Sequence, residues 1–218
     1  VNRLVLHGVY PMAFPDHACP RHFYAHGENA QFVAFGKLMT DVQRMALLIS
    51  GGRAKPEVAL LYNAENDWVS ELACAQNRMS CDVPAKLLAQ AQIDYDIVPS
   101  DLLAACLGKN TTALDKRPYP AVLHDGILEV NGYRYKALVV PGADYTSEEV
   151  VRFSRAAKEG GFPIYFQNAV AAAWVDGEKI YAGGETVSES GVIGALRAAG
   201  IGDISVSEKA PDLRFMHY

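Results

Sequence analysis

The chain has 218 residues, of which 50% are hydrophobic and 21% charged, and its formal net charge is −5. Those proportions belong to a globular protein and exclude a disordered or collagen-like one. The net acidity argues against the basic face that phosphate-led nucleic-acid binding requires, and no run approaches the ~18 consecutive apolar residues of a membrane span. The opening Val1 is followed by no basic-then-apolar leader, so no signal peptide is visible and a cytoplasmic location is expected.

The length allows one large domain, or one domain with a piece of another. Charge divides the chain unevenly. Residues 1–55 hold 6 Lys/Arg against 3 Asp/Glu, a net of +3, and residues 56–218 hold 14 against 22, a net of −8. Four of the six histidines, His7, His17, His22 and His26, fall in the first part. Ser50-Gly51-Gly52 stops a periodic segment and Pro56 follows, a helix-end signal that sets a boundary at about residue 54.

In chain order, Arg3–His7 reads as a buried strand, and Gly8–Asn29, with Pro11, Pro15 and Pro20, as a long loop. Residues 30–50 read as a helix, because Phe32, Phe35, Leu38, Met39, Val42, Met45, Ala46 and Ile49 recur at spacings of three and four. One strand and one helix cannot close a core, so this section needs neighbours beyond itself. Val58–Tyr62 is a continuous apolar run, as expected for a parallel strand covered on both faces; Ala137–Pro141 reads as another buried strand, and Tyr95–Pro99 and Pro163–Phe166 as further strands. Between and after them, helices are expected over 83–92 (with Pro84 in the first turn), 146–158 (capped by Thr146 or Ser147) and 189–199. Residues 122–135 read as a small hairpin with turns at Asp125-Gly126 and Asn131-Gly132. The alternation predicts an α/β fold with an open, doubly wound, mostly parallel sheet. Leu213–Tyr218 reads as a strand that stops without a turn, and a chain that opens and closes inside elements is expected to be a cut piece of a longer protein.

Ligands in open α/β sheets sit beyond the carboxyl ends of the strands. The polar residues after the first such strand, Asn63, Glu65, Asn66, Asp67 and Trp68, therefore either hold a ligand or form a solvated loop. Two carboxylates beside a Trp suit acid–base work or sugar binding. Cys19, Cys74, Cys81 and Cys106 form no Cys-x-x-Cys pair and lack the flanking glycines of an exposed nucleophile turn, so reduced, structural thiols are expected. Asn110-Thr111-Thr112 is a formal glycosylation sequon, empty in the cytoplasm. His17, Cys19, His22 and His26 have spacings that zinc uses, but no regular framework aims them, and no metal is expected. There is no phosphate loop and no Gly-x-Gly-x-x-Gly after a strand, so no cofactor is expected either.

Asn2–Val9, followed by His22–Gly27 and the helix to Gly52, resembles the last strand and helix of a (β/α)8 barrel. Val58–Glu65, Ala91–Pro99 and Tyr135–Gly142 resemble the flavodoxin-like domain that follows the barrel in the family 42 β-galactosidases and related glycosidases. That domain resembles the class I glutamine amidotransferase fold and helps to form trimers. The resemblance implies three regions: residues 1–54 as the end of a barrel, 55–210 as the flavodoxin-like domain and 211–218 as the start of a β domain. It implies a fragment of a glycoside hydrolase whose α/β domain buttresses the barrel, shapes one wall of the sugar site and mediates homo-oligomerisation, with a galactoside or oligosaccharide as the ligand of the complete enzyme. No Gly-x-Cys-x-Gly elbow is present, so amidotransferase activity is not implied. The catalytic carboxylates of the glycosidases lie on earlier barrel strands, and no catalytic residue is assigned here. His7 and Tyr10 fall where the last barrel strand meets the substrate face, and either line a sugar site or pack at the rim. Substrate-binding candidates are thus His7, Tyr10, Glu65, Asp67 and Trp68. Two alternatives stay open: a stand-alone amidotransferase-like or flavodoxin-like hydrolase, and an assembly or binding module.

Overall fold

The computed structural model describes residues 32–69, 80–108, 121–215 and 217. The expected strand at 3–7, the loop to residue 29 with its His and Cys residues, His7, Tyr10, Cys74 and the Asn110 sequon lie outside them. Two compact units divide between Ala54 and Lys55.

In the first unit, helix α1 spans Phe32–Ile49. Leu38, Met39, Val42 and Ala46 of the expected stripe are half-buried. Leu47 and Leu48 are each 77% exposed and Met45 is also exposed. Ser50 Oγ donates to Leu47 O at 2.9 Å and closes the last turn.

The second unit is an α/β domain. Its strands and helices run β1 Val58–Tyr62, α2 Ala64–Val69, α3 Asp82–Gln90, β2 Tyr95–Pro99 and α4 Ser100–Cys106, then β3 Ala121–His124, β4 Ile127–Val130, β5 Tyr133–Tyr135 and β6 Ala137–Val140. They continue with α5 Glu148–Glu159, β7 Ile164–Gln167, β8 Ala172–Val175, β9 Glu178–Tyr181, β10 Glu185–Val187 and α6 Gly191–Ala198. Five strands form one sheet in the order β10-β7-β6-β1-β2, with every pairing parallel. The chain moves outward from β1 to β2 and then returns past β1 to lay down β6. The gap between β1 and β6 is therefore the point where the winding reverses.

Alternation along the strands fills two cores. Ala59, Leu61, Val98, Leu138, Val140 and Phe166 face one side, with Leu103 of α4 and Val150, Phe153 and Ala157 of α5. Val58, Leu60, Tyr95, Ala137, Val139 and Tyr165 face the other, with Leu88 of α3 and Val192 and Leu196 of α6. Helices thus cover both faces, which explains why β1 and β6 are almost wholly apolar. Each fully buried Leu or Phe contributes about 1.5–3 kcal/mol.

The helix at α5 starts where a side chain permits it. Ser147 caps it by accepting from Val150 N at 3.4 Å, and Glu148 and Glu149 complement the positive end of the helix. The small antiparallel sheet β3-β4-β5 turns at Asp125-Gly126 and Asn131-Gly132, both residues of each pair having positive φ, as a tight hairpin requires.

Several expectations need correction. Residues 64–69 are a short helix rather than a loop. The segment at 122–135 is a three-stranded meander rather than a hairpin. Helices α4, and strands β8, β9 and β10, were not anticipated. Residues 213–215 carry no strand; the Leu213 carbonyl is instead taken up by a side chain, Gln92 Nε2, which donates to it at 3.1 Å and to Ala210 O at 3.0 Å. Further along, Lys55 N donates to His217 O at 3.0 Å.

Candidate functional site

The carboxyl edge of the sheet is where β1, β2, β6 and β7 release the chain into Asn63, Ser100, Pro141 and Asn168. Asn63 follows β1 directly and is fully buried (0% exposed). Its Nδ2 donates to Tyr145 O at 2.8 Å, which ties the end of β1 to the loop leaving β6 across the winding reversal. Its Oδ1 finds no partner among the described residues.

Glu65 and Asp67 stand two positions apart on α2, a spacing that sends helical side chains in different directions. Glu65 Oε1 accepts from Ser100 Oγ at 3.0 Å, so it reaches across to the start of α4, and its Oε2 is buried without a partner among the described residues. Asp67 turns the other way and accepts from Ser80 N through both oxygens, at 3.0 and 3.2 Å, bracing the entry to α3. Each carboxylate therefore serves its own structural partner, and the two do not converge as an acid–base pair. Trp68 is 76% exposed. Of the five residues expected to bind substrate, the structure places Glu65, Asp67 and Trp68 on α2 at this edge, while His7 and Tyr10 lie outside the described residues.

Other edge residues were not singled out from sequence. Thr146, in the loop after β6, is buried with an Oγ1 that finds no partner among the described residues, and Gln167, the last residue of β7, is buried with an Nε2 that likewise finds none among them. Gly142 lies against the end of β7, where a Cβ would lie 3.2 Å from Gln167 O, so only a residue without a side chain fits the junction comfortably. The one legible signal was Gln167 itself, a polar residue at the end of an apolar strand.

The cysteines give no activated nucleophile among the described residues. Burial, with the nearby Asp82 and Asp67 carboxylates, pushes the Cys81 thiol up to about 11. Burial pushes Cys106 up to about 11 as well. A nucleophilic thiolate needs the opposite shift. No group of three or more His, Cys, Asp or Glu side chains is arranged to hold a metal among the described residues, nor is any described helix long and apolar enough to cross a membrane. A cavity of 340 Å³ lies at the amino ends of β7 and β10, against Phe162, Pro163, Gly183 and Gly184. Another of 390 Å³ lies between α3, α6 and residues 205–210. Both are away from the carboxyl edge.

Compared with known proteins, the chain matches no family model, no curated protein and no solved structure.

Proposed function

We propose that residues 55–210 form a flavodoxin-like, non-catalytic domain of a glycoside hydrolase similar to the family 42 β-galactosidases, and that the carboxyl edge of this domain contributes to a galactoside site. The observation that carries this reading is Trp68, a large aromatic left 76% exposed on the short helix that leaves β1, beyond the carboxyl ends of the strands, where open α/β sheets take their ligands. An indole ring in that position offers an apolar plate to a sugar and an N–H to one of its hydroxyls. Numbered along the chain, the five parallel strands have the order 2-1-3-4-5, which supports the flavodoxin-like description. Glu65 and Asp67, each committed to a backbone-bracing or inter-element bond, support a role in shape and positioning rather than in bond cleavage. The high pKa values of Cys81 and Cys106 weigh against either as the nucleophile of a stand-alone cysteine hydrolase.

The chain has two tryptophans, Trp68 and Trp174. In a Trp174→Phe variant of the full chain, Trp68 is the only emitter. Titration with lactose to about 100 mM, well beyond a millimolar affinity, is expected to quench it saturably, and the chain is expected not to hydrolyse a nitrophenyl galactoside. An unresponsive Trp68 would overturn the sugar site. Hydrolysis lost on replacing a cysteine by serine would overturn the non-catalytic reading in favour of the amidotransferase-like one.

A further inference from the structure

We infer that the outward face of the β8–β9 hairpin, widened by Tyr145, is a second platform for a neutral sugar, separate from the carboxyl edge at Trp68. The inference takes its ligand class from the function proposed above, and its geometry from the register of the hairpin. Ala172 pairs with Tyr181 and Trp174 with Lys179. On its other side Ala172 bridges Tyr145 in parallel, fixed by a Thr146 N to Ala172 O bond of 3.0 Å. Paired residues in a ladder point to the same face, as do residues two apart on one strand. Tyr145, Tyr181, Trp174 and Lys179 therefore share one face, with the small Ala172 between the two tyrosines. The three aromatic residues are 46%, 55% and 61% exposed in that order. On the opposite face, Val175 and Ile180 are half-buried, so the large side chains this hairpin turns outward are aromatic and not aliphatic.

Three observations favour a neutral sugar over other occupants. First, residues 56–218 carry a net charge of −8, which repels a polyanion such as nucleic acid. Second, the side chain that protein interfaces most often use as an anchor beside aromatics, arginine, is already committed: Arg155 donates from Nε and Nη2 to Tyr181 O, at 3.1 and 2.9 Å. Third, Lys179 Nζ lies over the Tyr181 ring, 5.4 Å from its centre, which sets a hydrogen-bond donor on the same face as the Trp174 indole, and a donor beside an aromatic plate is the combination that a sugar's hydroxyls and apolar face require. The platform is also braced. Arg155 anchors β9 to α5, Gly183 N donates to Ser154 Oγ at 2.9 Å, and Asn63 holds the Tyr145 carbonyl. Rigid aromatic groups bind without the ordering cost that would cancel a weak interaction.

The test uses the full chain carrying Trp68→Phe, in which Trp174 is the only emitter. Lactose and cellobiose are titrated separately to about 100 mM, and sedimentation equilibrium is run over a range of protein concentrations. A saturable change in Trp174 emission with either sugar, weakened about two- to tenfold by Tyr181→Ala or Tyr145→Ala, is expected. Circular dichroism verifies that each variant keeps its secondary structure. No response to either sugar overturns the platform. So does concentration-dependent self-association that Trp174→Ala abolishes, which would assign the face to a second copy of the chain. Each single-tryptophan variant reads one site. A response at Trp68 without one at Trp174 sinks the platform alone, and the reverse sinks the carboxyl-edge site alone.

Discussion

Replacing Asn63 by Asp tests the junction on which the carboxyl edge depends. The two side chains have the same shape, so packing is unchanged, but an ionised carboxylate puts an acceptor against Tyr145 O, where Asn63 Nδ2 now donates at 2.8 Å. The site is fully buried, and its other oxygen already lacks a donor among the described residues. Burial without a partner raises a carboxyl pKa, by about 2–3 units in a moderate case, from ~3.9 to ~6.5. Because the folded value is the higher one, the penalty is absent below ~3.9, where both states are protonated. It grows as pH rises and is complete above the folded value. At 1.36 kcal/mol per unit, the variant should be less stable than the parent by about 3.5 kcal/mol near pH 8 and by about 1.5 kcal/mol near pH 5. In acid the protonated carboxyl can donate to Tyr145 O in place of the amide. Urea denaturation of parent and variant at both pH values, followed by far-ultraviolet circular dichroism, measures the difference with all other titrations cancelled. Asn63→Ala is expected to lose a pH-independent 1–2 kcal/mol, about the worth of the bond and its abandoned acceptor. An Asn63→Asp variant as stable as the parent near pH 8, or a deficit that does not change with pH, would refute the buried bridge.

Further outcomes follow from close packing and burial elsewhere in the domain. At Gly184 (φ +156°) a Cβ would lie 2.6 Å from Phe166 Cε2 and 3.0 Å from Ile164 O, so Gly184→Ala should cost about 2–3 kcal/mol and lower the melting temperature by about 5–10 °C. Gly161 (φ +72°) has nothing within 4 Å of a Cβ, so Gly161→Ala should cost only about 1 kcal/mol of backbone strain, and equal losses in the two variants would show that close packing is not the cause. Cys81 and Cys106, both pushed up to about 11, should resist iodoacetamide near neutral pH in the folded chain, as peptide mass mapping would show. Because their folded values exceed the ordinary thiol value, their contribution to stability should be lost as pH rises from about 9 towards 11, and rapid native alkylation would contradict the burial of Cys81 and the partial burial of Cys106.

Where burial is two-sided, the residues declare the element. Val58–Tyr62 was legible to the residue, because a strand inside a parallel sheet must be apolar on both faces and short; the edge strand Tyr95–Pro99 was legible too, from its aromatic and β-branched residues closed by a proline. The helix at 148–159 was legible from its cap and its glycine stop. Short elements were not. Ala64–Val69 and Ser100–Cys106 span less than two turns, too few for a periodicity of 3.6 to show. The edge strand Glu185–Val187 is half polar and carries no pattern. The hairpin at 172–181 did carry a turn signal, Asp176-Gly177 with positive φ at both residues, of the same kind as the two that were read. Its flanks, Ala172–Val175 and Glu178–Tyr181, lack the clean alternation that would have made the turn persuasive.

The carboxyl edge shows why proximity in sequence misleads about chemistry. Glu65 and Asp67 look like a pair because a single residue separates them in a supposed loop, yet the helix turns them apart and gives each a different partner, Ser100 and Ser80. Tyr145, by contrast, is 82 positions from Asn63 and 27 from its bridge partner Ala172, and it joins both. Its carbonyl is held by the end of β1, its backbone pairs with β8, and its ring lies on the same face as Trp174. The carboxyl edge and the hairpin face are therefore linked through one residue. Asn63→Ala should shift the emission of Trp174 in the Trp68→Phe chain although it alters no residue of the hairpin, because the disturbance travels through the backbone of residues 145–146 to Ala172; an unchanged Trp174 spectrum would refute the link.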